Sequence, residues 1–258
     1  MIKLNSENFK KSTRASYTKR SATELSFSSE DVEAFWSRIA LDHYESANMD
    51  LHSTHVQRFN ISIPRISLPN NGKLLNLWSR QGEAIPYIYR RFPSIELVNA
   101  EISRVMLAQA QQRFPGEVFI ETDLQTISYP NNYFDCILSL EMLEHSPSPQ
   151  KILREMFRVL KPGGQLILTC PSVVSEIHLW IADHFLHNHG EGPHRFPSTL
   201  QVKKMLREAG FSLIDHQATL FLPEELGAVH RLNRLFEKLF QWFPANEFGI
   251  RQLYEARK

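Results

Sequence analysis

Tyr133-Phe134-Asp135-Cys136-Ile137-Leu138-Ser139-Leu140, followed by Glu141-Met142-Leu143-Glu144-His145, is the most legible stretch of this sequence. Its first half is a nearly continuous apolar run of strand length, the pattern of a strand buried on both faces of a parallel sheet. Polar residues follow at the carboxyl end, then the breakers Pro147 and Pro149. From Gln150 to Leu160 the apolar residues Ile152, Leu153, Met156, Phe157 and Leu160 recur at helical spacing. Lys161-Pro162-Gly163-Gly164 stops that helix, Gln165–Cys170 reads as a second buried strand, and Pro171 ends it. Strand, crossover helix and strand make a parallel βαβ unit, right-handed by a strong topological preference.

The same residues carry a family resemblance. Tyr133-Phe134-Asp135 through Leu143-Glu144-His145, with Arg158-Val159-Leu160-Lys161-Pro162-Gly163-Gly164, resemble the second half of a class I S-adenosylmethionine (SAM)-dependent methyltransferase of the small-molecule type. His194-Arg195-Phe196 and Leu206-Arg207-Glu208-Ala209-Gly210-Phe211 resemble the segment before that group's sixth strand. The resemblance covers roughly residues 70 to 220. It implies an α/β fold, a Rossmann-like, doubly wound, seven-stranded and mostly parallel sheet, here with helical insertions. "LKPGG" is a helix stop and a strand entry rather than chemistry, so fold and function are separate expectations.

Outward towards the N-terminus, Asn70-Asn71-Gly72 is a turn and Lys73-Leu74-Leu75-Asn76-Leu77-Trp78 reads as the first strand. The family pattern places an acid in this strand and then glycines at three alternate positions, where the backbone passes close to the cofactor. This chain reads Asn76-Leu77-Trp78-Ser79-Arg80-Gln81-Gly82: Asn76 replaces the acid, Trp78 and Arg80 replace two glycines, and Gly82 remains. Two outcomes follow. A loop that admits SAM has Arg80 paired with an acid or in solvent and Trp78 packed on a neighbouring helix. A filled pocket has the indole inside it and the guanidinium opposing the sulfonium. Ser94–Ala100 reads as the second strand, ending at Glu101, and Val118-Phe119-Ile120 as the third, followed by Asp123. The resemblance gives Glu101 the ribose hydroxyls and Asp123 the adenine amino group, and implies a SAM site lined by Asn76, Trp78, Gly82, Glu101, Ile102, Asp123, Leu124, Leu140 and Glu141.

The remaining segments frame that site. Residues 1 to 28 are Ser-, Lys- and Arg-rich and read as a disordered leader. Ser28-Ser29-Glu30-Asp31 then starts a helix whose Val32, Phe35, Trp36 and Ile39 share one face. Superfamily members place such a helix over the cofactor and acceptor. Tyr44 and His55 lie in the polar segment behind it. His145 reads as a general base or as a hydrogen-bonding support for the loop that follows it, and Glu144 as structural or exposed. His194, or His189, reads as an acceptor-side group. Five histidines stand between 178 and 194, in no compact zinc spacing and without a cysteine, so no metal is expected. Ser198–Ala209 is an amphipathic helix, Phe211–Leu222 the sixth strand and Gly249–Arg257 the last, which the resemblance places antiparallel beside the fifth. Between these, 223–243 forms an apolar helical stripe with Arg231, Arg234 and Lys238 elsewhere on its surface, suited to packing, to a homodimer or to peripheral membrane contact.

The organisation expected is a leader over 1–28 and one methyltransferase-like domain over 29–258, with insertions at about 173–195 and 223–243. A formal net charge of +1 gives no reason to expect nucleic acid. Cys136 and Cys170 fall in buried strands as core thiols, and the polar start shows no signal peptide; both suit the cytoplasm. The expected activity is methyl transfer from SAM to a small-molecule, sugar or lipid-linked acceptor. The alternative is a non-catalytic relative that binds a partner or metabolite on the same scaffold.

Overall fold

The computed structural model describes residues 26–41, 52–176, 192–219, 232, 235–236, 239 and 249–258. Helix α1 (Ser29–Leu41) comes first, then α2 (His52–Ser62), β1 (Lys73–Leu77), α3 (Ile85–Arg91), β2 (Glu96–Glu101), α4 (Arg104–Arg113) and β3 (Val118–Glu121). After them come β4 (Phe134–Leu140), α5 (Pro149–Val159), β5 (Leu160–Pro171), α6 (Thr199–Glu208), β6 (Ser212–Thr219) and β7 (Arg251–Arg257). The strands form one sheet of seven in the order β3-β2-β1-β4-β5-β7-β6. The first five are parallel, and β7 runs antiparallel to both β5 and β6.

The strand order reverses between β1 and β4, so the carboxyl ends of these two strands border the crevice where open α/β sheets bind ligands. Apolar clusters cover both faces of the sheet, one containing Leu75, Ile137, Leu166 and Leu168 and the other Leu74, Cys136, Leu138 and Ile167. Alternate residues of the same central strands enter opposite clusters, as the period of a strand requires. Helix α5 buries Ile152, Leu153, Met156 and Val159, the apolar stripe read from the sequence. Helix α6 begins with a reciprocal cap between Ser198 and Gln201.

Several boundaries differ from the sequence reading. The polar segment behind α1 contains the helix α2, whose Phe59 joins the core. β2 starts at Glu96 rather than Ser94. β5 already begins at Leu160 and runs through Lys161-Pro162-Gly163-Gly164. The chain terminus extends the ladder there: the Gly163 amide donates to Lys258 O and the Lys258 amide to Gly164 O, both at 3.0 Å. Tyr44, residues 1–25, residues 177–191 with His189, and most of 223–243 lie outside the described residues.

Candidate functional site

The loop after β1 decides what the crevice can hold. Its backbone is left-handed at all three alternate positions, with φ of 71° at Trp78, 54° at Arg80 and 85° at Gly82. Glycine adopts such angles freely, whereas a residue with a side chain is strained by of order 1–3 kcal/mol. The loop thus keeps glycine-type geometry at two positions that have lost glycine. Backbone hydrogen bonds support it: the amides of Trp78 and Ser79 both donate to Ala100 O at 2.9 Å, at the end of β2. At Gly82 a Cβ would come within 2.8 Å of the Phe114 ring, which accounts for the one glycine retained. The Asn76 side chain donates to Asn99 Oδ1 at 2.9 Å, a buried amide pair bridging β1 and β2.

Glu101 sits against this loop. Its Oε2 accepts the Arg80 amide at 2.6 Å and its Oε1 the Ser103 amide at 3.0 Å. The residue is 0% exposed. Burial pushes its carboxyl group upward, against the charge of Arg80 and these two amide donors, which pull it down. Asp123 is exposed, and its Oδ1 closes a turn by accepting the amides of Gln125 and Thr126 at 2.8 and 2.7 Å and the Thr126 hydroxyl at 3.0 Å. Its partial burial acts upward, but these donors outweigh that and the acid is lowered.

Helix α1 lies over the crevice. Its Ser29 hydroxyl donates to Asp123 O, and its Ser37 hydroxyl meets that of Ser103, the N-cap of α4, at 2.9 Å. The face between them drives Trp36 into the site. The Trp36 ring meets Trp78 edge-on at 5.9 Å and 87°, and His145 edge-on at 5.5 Å and 87°. Trp78 in turn stacks on His145 at 5.2 Å and 8°. The Arg80 guanidinium carbon lies 3.6 Å from the Trp36 ring centroid and 4.4 Å from that of Trp78. Trp78 does pack against a neighbouring helix, as an open loop demands. Arg80 does not reach solvent, but where burial raises the carboxyl groups of two acids, Glu101 and Glu83, its charge acts to lower both. Arg80 is 6% exposed, and its Nε and Nη1 have no hydrogen-bond partner among the described residues.

His145 is 1% exposed, and its Nδ1 lies 2.9 Å from Pro193 O. A carbonyl only accepts, so Nδ1 carries the proton. Burial, then the charge of Arg80, holds this imidazole well below the ordinary histidine value. His194 is brought beside it, with ring centroids 6.4 Å apart, and its own Nδ1 donates to Gly192 O at 2.7 Å. Ile102, Leu124 and Leu140 are all buried, the first two in the apolar cluster that also holds Trp36 and Trp78.

Glu141, with φ of 54°, engages two arginines. Its Oε2 accepts from Arg58 Nη1 at 2.9 Å, and its Oε1 from Arg251 Nε and Nη2, both at 2.6 Å. Arg251 Nη1 also donates to Gln57 Oε1 at 2.6 Å. Both arginines are nearly buried, so this carboxylate ties α2 and β7 to the end of β4. Arg58, Arg251 and Asn99 were missed in the sequence, and Trp36 was read only as one of four apolar residues on the face of a helix expected over the site. For Asn99 a signal existed, since two asparagines in adjacent buried strands need each other. The arginines come from elements distant in the chain and carry no local signature.

Residues 79–168 match a family model described as a methyltransferase domain. The malonyl-[acyl-carrier protein] O-methyltransferase of Paenibacillus sp. is 26% identical over 155 residues, covering 55% of this chain and 56% of that protein. The trans-aconitate 2-methyltransferase of Variovorax paradoxus is 28% identical over 109 residues, 42% of each. The chain thus spans about half the length of the curated relatives it matches. Among solved structures, the complex of the Haloferax volcanii Trm112 methyltransferase activator with a methyltransferase aligns with a TM-score of 0.67 and 16% identity, covering 86% of this chain and 96% of that one.

Proposed function

The chain carries a class I SAM-dependent methyltransferase domain, and from that premise we propose that it transfers a methyl group from SAM to a small-molecule acceptor. Members of this family and fold use SAM. The observation that carries the proposal is the pairing of Glu101, at the carboxyl end of β2, with the left-handed loop after β1: a strand-end acid beside a backbone of glycine-type geometry supports a nucleoside site. A small acceptor agrees with the names of the relatives, which act on malonyl-[acyl-carrier protein] and trans-aconitate. A sugar or lipid-linked acceptor is the wider form of the proposal; the segments that would wall it, 177–191 and most of 223–243, lie outside the described residues.

The residues present do not fit SAM in the arrangement described. Glu101 is closed to water, its two oxygens already take amide protons, and Trp36, Trp78 and Arg80 occupy the corner above the loop. Binding therefore requires α1 to lift and Arg80 to leave. The same filling favours the second reading, a non-catalytic relative. Titration calorimetry of the wild type and Arg80→Gly with SAM and with its demethylated product separates the two. The methyltransferase reading expects saturable heat, stronger in the variant. Heat from the variant alone, or from neither protein at millimolar ligand, overturns it in favour of the non-catalytic reading.

A further inference from the structure

The guanidinium of Arg80 is held in an unusual way. Two indole rings at right angles form a corner, Trp36 from α1 and Trp78 from the β1 loop, and the guanidinium carbon lies within cation–π range of both. His145 backs the Trp78 wall in a parallel stack. The corner itself offers only ring faces: Arg80 Nε and Nη1 are buried with no acceptor among the described residues, although the charge of Arg80 is felt by the carboxyl groups of Glu101 and Glu83 nearby. Burying donors without acceptors is costly, and the backbone that carries the group is itself left-handed, at φ 54°.

We propose that Trp36 and Trp78 form a binding corner for an organic cation that carries no N–H donors, a sulfonium or a quaternary ammonium, and that Arg80 is a tethered surrogate occupying it while the site is closed. A guanidinium gains attraction from the two rings but loses water at donors that the corner cannot satisfy. A sulfonium or quaternary ammonium gains the same attraction and has no such donors to strand. One wall belongs to α1 and the other to the loop, so emptying the corner and lifting the helix are one event. Naming the cofactor's sulfonium as the natural occupant rests on the function proposed above; the corner itself does not.

The test uses choline and its uncharged isostere 3,3-dimethylbutan-1-ol, followed by intrinsic tryptophan fluorescence of the full chain. Arg80→Gly removes the cation and suits the left-handed backbone, and Arg80→Gln keeps volume while removing the charge; far-UV circular dichroism checks both for folding. Choline should bind at least one of these variants about tenfold or more tightly than the isostere, and more tightly than it binds the wild type. Adding Trp36→Ala should abolish the preference. Equal binding of choline and isostere in both folded variants, or a preference that survives loss of Trp36, overturns the proposal. Choline binding without SAM binding would retain the corner and remove the methyltransferase reading, and SAM binding without choline binding would do the reverse.

Discussion

Replacing Glu141 by Gln should destabilise the protein far more than any exposed charge change. Glu141 receives three hydrogen bonds from two arginines whose side chains are 6% and 4% exposed. Glutamine retains the length and one acceptor oxygen but leaves two cations facing a neutral amide. Removing one partner of a buried ion pair costs about 3–5 kcal/mol, because the charge left behind stays desolvated. The retained acceptor puts the expected loss near the lower end, about 3 kcal/mol, still a large share of a typical total of about 5–15 kcal/mol. The matched control is Glu121→Gln: Glu121 pairs with Arg104 at 2.9 Å, but the two side chains are 50% and 74% exposed. Such a pair contributes less than about 1 kcal/mol. Urea unfolding followed by far-UV circular dichroism gives both values from the midpoint and slope. A Glu141→Gln loss no larger than that of the control would refute the view that this carboxylate holds α2 and β7 to the sheet.

Three further outcomes are expected. Gly82→Ala places a Cβ against the Phe114 ring at a φ of 85°, and should lower stability by about 2 kcal/mol in thermal melts; a change within experimental error would contradict the role given to that glycine. His145 is held below the ordinary value of 6.5, so the unfolded chain takes up the proton first. Its contribution is complete above that pH and is lost as pH falls below it, by up to about 1.4 kcal/mol per pH unit. Subtracting the pH profile of His145→Gln isolates this part from Glu101, whose raised carboxyl acts in the opposite direction, and a flat difference below pH 6.5 would contradict it. Cys136 and Cys170 are buried, and burial raises both thiols, so a disulfide reagent should modify neither until denaturant is added; rapid native labelling would show that β4 or β5 opens.

The sheet was legible because its central strands are buried on both faces and spell themselves out as unbroken apolar runs; Phe134–Leu140 and Leu166–Cys170 have no other plausible state. The antiparallel last strand came from resemblance, and the pairing of Leu166 with Ala256 and Leu168 with Tyr254 agrees with it. The site was legible only in part. Glu101 and the loop were found because strand ends and missing glycines are local signals. Their actual relation, a loop amide donating to the acid beneath a pair of tryptophans, depends on α1, whose Trp36 is indistinguishable in sequence from an ordinary core residue. Arg251 was hidden for a different reason: its partner Glu141 lies 110 residues earlier, and nothing in Gly249–Arg257 other than strand alternation was on view.

The direct test of the account is the affinity of SAM for the wild type, Arg80→Gly and Glu101→Gln, measured by calorimetry with tryptophan fluorescence recorded on the same samples. The wild type should bind SAM saturably, with affinity that tightens in Arg80→Gly and weakens in Glu101→Gln by about 1–3 kcal/mol, and indole emission should change as Trp36 leaves the corner. No binding to the wild type, with or without binding to Arg80→Gly, or equal binding by wild type and Glu101→Gln with unaltered emission, would contradict this reading.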